Sequence, residues 1–352
     1  MKKLTLFAFL ALALSFAVCV ANGGEKGSVA FLDDSVGIEN GSFMKNVPTP
    51  SKKYQIANIT RTLMNAHWVK NKDGFEAASK HYGVDGTVFA VRSEMDVMDQ
   101  ANILDTIIER KFDAIAVSPI TEQNLLPGLK KASEAGIVII NVDTAEILER
   151  DAQTNNITLT SYIGSNNYDA GVIAAKFMSE KLGSKDGEVA IIEGNPGDTC
   201  AIDRTSGFAD ESKKLPNLKL VASQTAKWDR LQALEVTTGI LRANPNIRGI
   251  YCNNDTMVLG AMQAATDLGY TILTSDNINR AGEAKCLMLV GNDGVPEALE
   301  AVRDGELTGT IAQKPYLMGY AAVEASIMKL EGKAPEARIA TPIKLVLKED
   351  YK

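Results

Sequence analysis

The feature that most constrains this chain is an alternation of short apolar strands with amphipathic helices, which runs twice along the sequence. In the first run, predicted strands at 54–59, 87–91, 114–117 and 138–142 alternate with predicted helices at 68–81, 95–110 and 122–135. Strands joined by helices of this length form right-handed βαβ units, which build a parallel sheet covered by helices on both faces. The first run therefore predicts a doubly wound α/β lobe.

The same alternation begins afresh after Ser165. Predicted helices at 170–182, 204–215, 230–243 and 257–268 alternate with predicted strands at 188–192, 219–222, 249–252 and 286–290. The two runs also echo each other in detail, since 112–119 and 247–254 are each a strand that ends in a polar loop. A chain of 352 residues is long enough for two domains. The pattern therefore predicts two similar lobes.

Residues 1–22 have the order of a secretory signal peptide. Lys2 and Lys3 precede an apolar run at 4–20, and small and polar residues follow. The apolar run is too short for a membrane span, and no later stretch is long and apolar enough to be one. We therefore expect an exported protein. Lipid anchoring at Cys19 is the less favoured alternative, because Val18 is bulkier than the small residue usually found before a lipidated cysteine.

Composition excludes several classes of protein. Loss of Lys2 and Lys3 takes the formal net charge from -7 to -9, so the surface should repel nucleic acid. The three later cysteines have the spacing of neither a zinc site nor a disulfide framework. A disulfide between Cys252 and Cys286 is less favoured than buried thiols. No loop has a calcium-binding pattern, so we expect no metal and no cofactor.

Polar and aromatic residues gather where the predicted strands end, which is where ligands bind in open parallel sheets. Hydroxyl groups need both donors and acceptors, and the apolar face of a sugar ring packs on a flat indole. Each residue alone has a structural explanation as a helix cap, turn or core residue. Together they predict a neutral polyhydroxylated ligand. The candidates are Asn65, His67, Trp68, Asp143, Arg204, Trp228, Asn254, Asp293 and Gln313.

From about Tyr54 to the C-terminus the sequence resembles the periplasmic sugar-binding proteins related to ribose-binding protein and to the ligand domains of lactose-repressor-like regulators. The segments that carry the resemblance are 62–74, 140–143, 203–208, 253–261, 290–294 and 310–313. The resemblance implies a type I periplasmic binding protein, with two doubly wound lobes joined by chain crossings near Ser165, Gln313 and Thr341. The implied first lobe is 54–165 plus 314–341, and the implied second lobe is 166–313 plus 342–352. Residues 23–53 are left as an N-terminal arm or linker.

The resemblance also implies roles for the candidate residues. Asn65 and Trp68 fall on first-lobe ligand contacts, Asp143 on a carboxylate that accepts sugar hydroxyls, Trp228 on a stacking aromatic, and Arg204, Asn254, Asp293 and Gln313 on polar contacts from the second lobe and hinge.

Three departures put ribose in doubt: His67 replaces an aromatic, Thr144 an arginine and Arg61 a small residue. The broad indole of Trp228 favours a hexose pyranose or a longer polyol. His67 has an alternative explanation as a helix N-terminal residue without a ligand contact.

The implied function is that of a periplasmic, monomeric solute-binding protein, which closes on a monosaccharide or sugar alcohol and presents it to an ABC transporter permease in the inner membrane. The alternative is a receptor for a sugar or an autoinducer-like signal that acts through a chemoreceptor or sensor kinase.

Two other classes of protein are disfavoured. An enzyme is disfavoured because hydrolase, zinc-protease and P-loop motifs are absent. Asp143 and Asp293 could be imagined as a glycosidase pair, but a neighbouring arginine and amides would keep both ionised. A transcription regulator is disfavoured because a signal peptide stands in place of a basic helix-turn-helix head.

Overall fold

The computed structural model describes residues 30–34, 37–121, 123–143, 147 and 149–351. The elements of the first run are β1 (Gln55–Thr62), α1 (Ala66–Tyr82), β2 (Asp85–Val91), α2 (Val97–Glu109), β3 (Ala114–Val117), α3 (Leu126–Glu134), β4 (Val138–Val142), α4 (Glu149–Thr154) and β5 (Leu159–Gly164).

The second run contains α5 (Asn167–Leu182), β6 (Gly187–Glu193), α6 (Thr199–Ser212), β7 (Leu218–Thr225), α7 (Arg230–Ala243), β8 (Ile247–Cys252), α8 (Asp255–Asp267), β9 (Thr271–Ile272), β10 (Cys286–Asp293), α9 (Pro296–Asp304) and β11 (Gly309–Ala312). The chain ends with α10 (Pro315–Leu330), β12 (Arg338–Ala340) and β13 (Lys344–Leu347).

These elements form two sheets whose strands follow corresponding orders. The first has the order β2-β1-β3-β4-β5-β12, and the second has the order β7-β6-β8-β10-β11-β13 with β9 paired to β10. The strands of the first sheet are all parallel, whereas β13 runs antiparallel to β11. Central strands such as β3 are buried along their whole length, as expected for a sheet covered on both faces. The predicted fold class, two doubly wound α/β lobes, is confirmed.

The chain passes between the two sheets at three places. It leaves the first sheet after β5, returns after β11 through α10, which packs on α1, and leaves again after β12. The first and third passages touch, since the hydroxyl oxygens of Ser165 and Thr341 are 3.2 Å apart. Gln313 lies in the second passage, between β11 and α10.

Reciprocal glycines bring one helix pair of each lobe into close contact. A Cβ atom on Gly74 of α1 would lie 1.9 Å from the Tyr316 carbonyl oxygen, and one on Gly319 of α10 would lie 2.0 Å from that of Asn71. The second lobe repeats the arrangement between α5 and α6, where a Cβ on Gly171 would lie 2.2 Å from the Arg204 carbonyl oxygen. Any side chain at these glycines would push the helices apart.

The structure corrects several boundaries. The helix predicted to begin at Arg204 begins at Thr199, because the side chain of Asp198 caps it by accepting a hydrogen bond from the backbone N–H of Cys200. Arg204 therefore lies in the second turn. The strand predicted at 286–290 continues through Asp293, so that residue lies within β10 and not after it. The helix predicted at 122–135 is confirmed from Leu126 to Glu134, and residue 122 lies outside the described residues.

The cysteines follow the favoured prediction. Cys200, Cys252 and Cys286 are free and buried, so the alternative disulfide is wrong. Burial raises the pKa of the Cys200 and Cys252 thiols well above the ordinary value. The predicted signal peptide, Cys19 and Thr144 lie outside the described residues. Within the part of the chain that the structure describes, no helix is both long enough and apolar enough to cross a bilayer.

Candidate ligand-binding site

A cavity of about 460 Å³ lies between the lobes, at the carboxyl ends of the two sheets. This volume is in the range of small-molecule sites. All nine residues predicted from the sequence line it: Asn65, His67, Trp68, Asp143, Arg204, Trp228, Asn254, Asp293 and Gln313. The fold brings them together because each lobe turns the carboxyl edge of its sheet toward the other.

The first lobe contributes a buried ion pair. His67 Nε2 lies 2.9 Å from Asp143 Oδ2, and both side chains are almost wholly buried. Burial by itself would lower the pKa of His67, but the Asp143 carboxylate outweighs it and the pKa is raised. Burial would likewise raise the pKa of Asp143, yet His67 and Arg204 hold it below its ordinary value. Each residue therefore favours the charged form of the other.

The second lobe contributes a network around Asp293. Its Oδ1 accepts hydrogen bonds from Gln313 Nε2 at 2.7 Å, from Asn292 Nδ2 at 3.1 Å and from Arg204 Nη1 at 3.3 Å. Arg204 is fixed in turn by Asn167 Oδ1, at 2.9 Å from its Nε. Burial would lower the pKa of Arg204, but the Asp293 carboxylate raises it, so the guanidinium stays charged. All three donors bind the same carboxylate oxygen, which leaves Oδ2 without a donor among the described residues.

Trp68 forms part of the cavity wall, and neighbouring side chains fix the orientation of its indole. Its ring is 3% exposed, and its Nε1 donates to Glu94 Oε1 at 3.0 Å. The His67 ring meets it edge to face at 4.9 Å, and the Arg61 guanidinium carbon lies 5.8 Å from its centroid. The indole cannot rotate without breaking these contacts, so its orientation is set before a ligand arrives.

Trp228 is both a wall of the cavity and a cover for the second-lobe core. It packs against the apolar cluster of that lobe, and a Cβ on Gly194 would lie 2.0 Å from the indole. The glycine thus lets the ring lie close to the backbone. The indole Nε1 is buried and has no hydrogen-bond partner among the described residues. The core and ligand explanations considered for this residue are therefore compatible with each other at its position.

Asn65 and Asn254 are both helix caps, one in each lobe. Asn65 caps the helix after the first strand of its lobe, where its Oδ1 accepts a hydrogen bond from the His67 backbone N–H at 2.9 Å. Asn254 caps the helix after the third strand of the other lobe, where its Oδ1 accepts from the Met257 backbone N–H at 2.9 Å. The cap uses the Oδ1 atom and leaves the amide N–H groups. Capping and a cavity contact are therefore compatible at both positions.

Three candidate residues have unusual backbone conformations. Asp143 and Trp228 have φ of 64°, and Asp293 has φ of 126°. Positive φ is uncommon for residues with a side chain and carries strain that the surrounding structure must offset. Such strain concentrates at functional sites, where it aims a side chain that relaxed geometry would direct elsewhere.

Several buried polar atoms in this cavity lack hydrogen-bond partners among the described residues. They are Asp143 Oδ1 and His67 Nδ1 from the first lobe, Trp228 Nε1 from the second, and Gln313 Oε1 from the passage between them. A buried polar atom left unpaired costs about 1–3 kcal/mol. Residues with acceptors and donors of this kind, lining one cavity, are suited to a ligand that brings hydroxyl groups.

An ion pair joins the lobes across the cavity wall. Nη1 and Nη2 of Arg61, on β1, both lie 3.1 Å from Oδ2 of Asp198, the cap of α6. Arg61 Nη1 also lies 3.3 Å from Glu94 Oε2. Arg61 and Asp198 are each 2% exposed. Because the two residues come from different lobes, their contact requires the lobes to be close together. The structure is therefore a closed arrangement.

Some residues that line the cavity were not among the candidates predicted from the sequence. Arg61 was noted only as a departure from the family, and Glu94 was not considered, although it follows β2 and the rule of strand ends would have found it. Asp229 and Gln232, at the start of α7, also line the cavity. No signal in the sequence pairs Arg61 with Asp198, because the contact joins residues 137 positions apart on different lobes.

Comparison with known proteins places this arrangement in a family. The family model described as a periplasmic binding protein domain matches residues 56–334. The chain belongs to this family. Among the relatives of this periplasmic binding protein is the D-allose-binding periplasmic protein of Escherichia coli K12, which is 34% identical over 82% of this chain and 91% of its own length. The ribose import binding protein RbsB of Bacillus subtilis 168 is 30% identical over 84% of this chain and 87% of its own length.

Solved structures agree with the family. An ABC transporter periplasmic solute-binding protein from Actinobacillus succinogenes 130z with bound D-allose superposes with a TM-score of 0.76, at 33% identity over 85% of this chain and 99% of that one. A solute-binding protein from Agrobacterium vitis with bound D-fucose gives a TM-score of 0.72, at 29% identity over 84% and 96%. Within the described residues of this periplasmic binding protein, no group of three or more His, Cys, Asp and Glu side chains could hold a metal ion.

Proposed function

We propose that this protein captures a monosaccharide or sugar alcohol in the periplasm and delivers it to a carbohydrate ABC importer. The observation that carries the proposal is that one cavity is lined from both lobes by residues that hold buried polar atoms without a partner among the described residues. A neutral sugar would supply hydroxyl groups to each of them. The relatives named above are binding proteins for D-allose and ribose, and the neighbours hold D-allose and D-fucose.

The proposed ligand class is a hexose pyranose, with D-allose as the first candidate. Trp68 and Trp228 offer two indole surfaces, which suit the apolar C–H faces of a pyranose ring. Asp143 Oδ1 and Gln313 Oε1 are acceptors for hydroxyl hydrogens, while the amide groups of Asn65 and Asn254 are donors. All nine candidate residues are proposed as ligand contacts.

The proposed mechanism is closure of the lobes about the three chain passages, with the lobes bounded as the family resemblance implies. A ligand shifts an open–closed balance only through contacts that differ between the two forms. Asp143 and Asp293 stand on opposite lobes, so one sugar could bind both only when the lobes are closed. The Arg61–Asp198 ion pair would form in the same movement and add to the stability of the closed form.

The proposed partner surface is the mouth of the cleft. Six large apolar side chains are exposed within the described residues, and they lie in the loops or first helical turns that follow strands of the two sheets. They are Leu63, Met64, Met95 and Met98 on the first lobe and Ile202 and Leu231 on the second. Exposed apolar groups on this edge suit a protein partner. A permease would meet both groups side by side only when the lobes are closed.

Catalysis is not part of the proposal. The low pKa of Asp143 keeps that carboxyl ionised and unable to act as a general acid, and the Arg204 guanidinium lies beside Asp293. The second candidate is a receptor role, in which a chemoreceptor reads the same closed face. The exposed apolar side chains on both lobes serve either partner.

The test is a thermal-shift screen of the signal-free protein, followed by calorimetry on each ligand that raises the melting temperature. The panel contains D-allose, D-ribose, D-fucose, galactitol, a disaccharide and amino acids. A disaccharide is included because a second cavity of about 480 Å³ shares Glu94, Met95 and Lys227 with the first. We expect a shift confined to hexoses. A response to amino acids with silence across the carbohydrates would contradict the proposal.

A further inference from the structure

The N-terminal arm is anchored to the first lobe by residues 37–47. Glu324 of α10, which is fully buried, accepts hydrogen bonds from the Ser42 hydroxyl at 2.7 Å and from the backbone N–H groups of Phe43 and Met44 at 3.1 and 2.8 Å. The hydroxyl of Tyr320 donates to the Gly41 carbonyl at 2.7 Å. A buried carboxylate that accepts this many hydrogen bonds fixes the segment firmly.

The preceding residues, 31–34, contact the second lobe. We call them the strap. Phe31 and Leu32 pack on an apolar cluster that contains Ala312 and Val346 from β11 and β13, together with Leu299 of α9. These side chains belong to the second sheet and to its covering helix. The arm therefore crosses from one lobe to the other.

The strap also contacts the first lobe and the passage between the lobes. Asp34 Oδ2 lies 2.6 Å from Lys70 Nζ in the second turn of α1. The buried ammonium of Lys314, the residue after Gln313, donates to the carbonyl oxygens of Phe31 and Asp33 at 2.8 and 2.5 Å. The strap is thus bound to the first lobe, the second lobe and the hinge.

A small cavity of about 90 Å³ lies between the strap and the proposed sugar site. Leu32 and Asp34 line it on one side, and His67, Asp293 and Gln313, which also line the large cavity, line it on the other. The strap therefore lies close behind side chains proposed to bind the ligand. A movement of the strap would change their surroundings.

The length of the strap limits how far the lobes can separate. Leu32 contacts the second lobe, and Asp34 binds α1 of the first lobe. Two residues span at most about 7 Å even when extended. An opening that separates α1 from α9 would have to break one of the two contacts. Because the contacts coexist with the Arg61–Asp198 ion pair, they belong to the closed arrangement.

We propose that the strap is a conformational device that favours the closed form and slows release of the ligand. It lies outside the family match, which begins at residue 56. The effect on ligand release rests on the proposed function, whereas the effect on lobe separation does not. A strap of this kind keeps the empty protein nearer to closure and gives a longer-lived complex once the sugar is bound.

The test measures lobe separation and ligand release in the same variants. Spin labels on Lys131→Cys and Lys219→Cys, both exposed and on different lobes, report the distance between lobes without ligand. The three native cysteines of the described chain are buried and should label poorly. In the Phe31→Ala/Leu32→Ala double variant we expect longer distances and D-allose dissociation faster by about 3- to 10-fold. Asp34→Asn, a milder change at a half-exposed ion pair, should move both readings in the same direction.

Val47→Ala is the matched control, because Val47 packs on the first-lobe core and has no role in the bridge. It should leave the distances and the dissociation rate at the parent values. Identical distances in the double variant, Asp34→Asn and the parent would overturn the proposal. If the parent binds no sugar, the proposed function fails, and the distances still test the strap.

Discussion

The two lobes bring an aspartate to the cavity in the same way but hold it differently. Asp143 ends the β4 region of the first lobe, Asp293 ends β10 of the second, and both have positive φ. Asp143 is paired with an imidazole that can titrate, whereas Asp293 is paired with a guanidinium that cannot. The two lobes therefore share a fold, but their aspartates have different charged partners. The titratable partner of this aspartate pair therefore lies in the first lobe, beside Asp143.

The largest effect is expected where the second-lobe aspartate loses its permanent partner. Arg204→Met would leave the Asp293 carboxylate buried beside two amides without its cation. Breaking a buried pair by removing one partner costs about 3–5 kcal/mol. We expect a marked fall in melting temperature and loss of sugar affinity of at least about 100-fold by calorimetry.

Arg230→Met provides the control for that change. Arg230 forms an ion pair with Glu297 on the same lobe, but its side chain is 50% exposed. An exposed pair contributes about 0–1 kcal/mol. Affinity should stay at the parent value. Equal losses in the two variants would show that the second-lobe network has no special role.

The contact between the lobes is the next to test, through the dissociation constant of D-allose. Arg61→Met and Asp198→Asn should each weaken binding by about 10-fold, because each leaves a buried charge without its partner in the closed form. The double variant should lose less than the two single losses combined, since the residues interact directly. Strict additivity would mean that the ion pair does not contribute to closure.

The pH dependence of stability tests the comparison between the lobes directly. The pKa of His67 is raised on folding, so its contribution is fully present below the ordinary imidazole pKa and is lost as the pH rises through the folded value. The pKa of Asp143 is lowered, so its contribution is present above the ordinary carboxyl pKa and is lost as the pH falls through the folded value. Thermal unfolding from pH 4 to 9 should show a decline as the pH rises that is smaller in His67→Phe. The remainder is expected from the buried Asp255 of the second lobe, whose pKa is raised to about 8 by burial and by Asp293.

The other histidine gives the control for this measurement. His81, in the last turn of α1, is exposed, and His81→Asn should keep the alkaline decline of the parent. The groups that act electrostatically on His67 are Asp143, Asp293 and Arg204. A decline of the parent size in His67→Phe would place the titrating group elsewhere. It would also remove the proposed difference between the lobes.

The smallest effects are expected at the two asparagine helix caps. Serine also caps helices well, so Asn65→Ser and Asn254→Ser should change the free energy of unfolding by only a few tenths of a kcal/mol. Both remove amide donors from the cavity and should weaken D-allose binding by about 3- to 10-fold. Parent affinity in either variant, measured by calorimetry, would assign that asparagine to capping alone.

Much of the fold follows from local pattern. Consecutive residues are enough to predict buried strands such as β3 and helices that end at a glycine, such as α1 at Gly83. The boundary errors had a local cause as well, since Asp198 is a helix cap that was overlooked in favour of Arg204. The nine candidate positions could be identified because a parallel sheet gathers strand ends at one edge. Their gathering into one cavity needed the fold.

Local sequence pattern encodes the alternation of strands and helices, its repetition and the polar residues at strand ends, because each depends on neighbours within a few positions. Only the tertiary structure decided the rest: the positive φ of Asp143 and Asp293, the pairing of His67 with Asp143, the Arg61–Asp198 contact between lobes and the strap behind Gln313. Each of these joins segments that are distant in the chain or strains the backbone against its local preference. Such features are stable only when the packed fold holds them, so no local pattern encodes them.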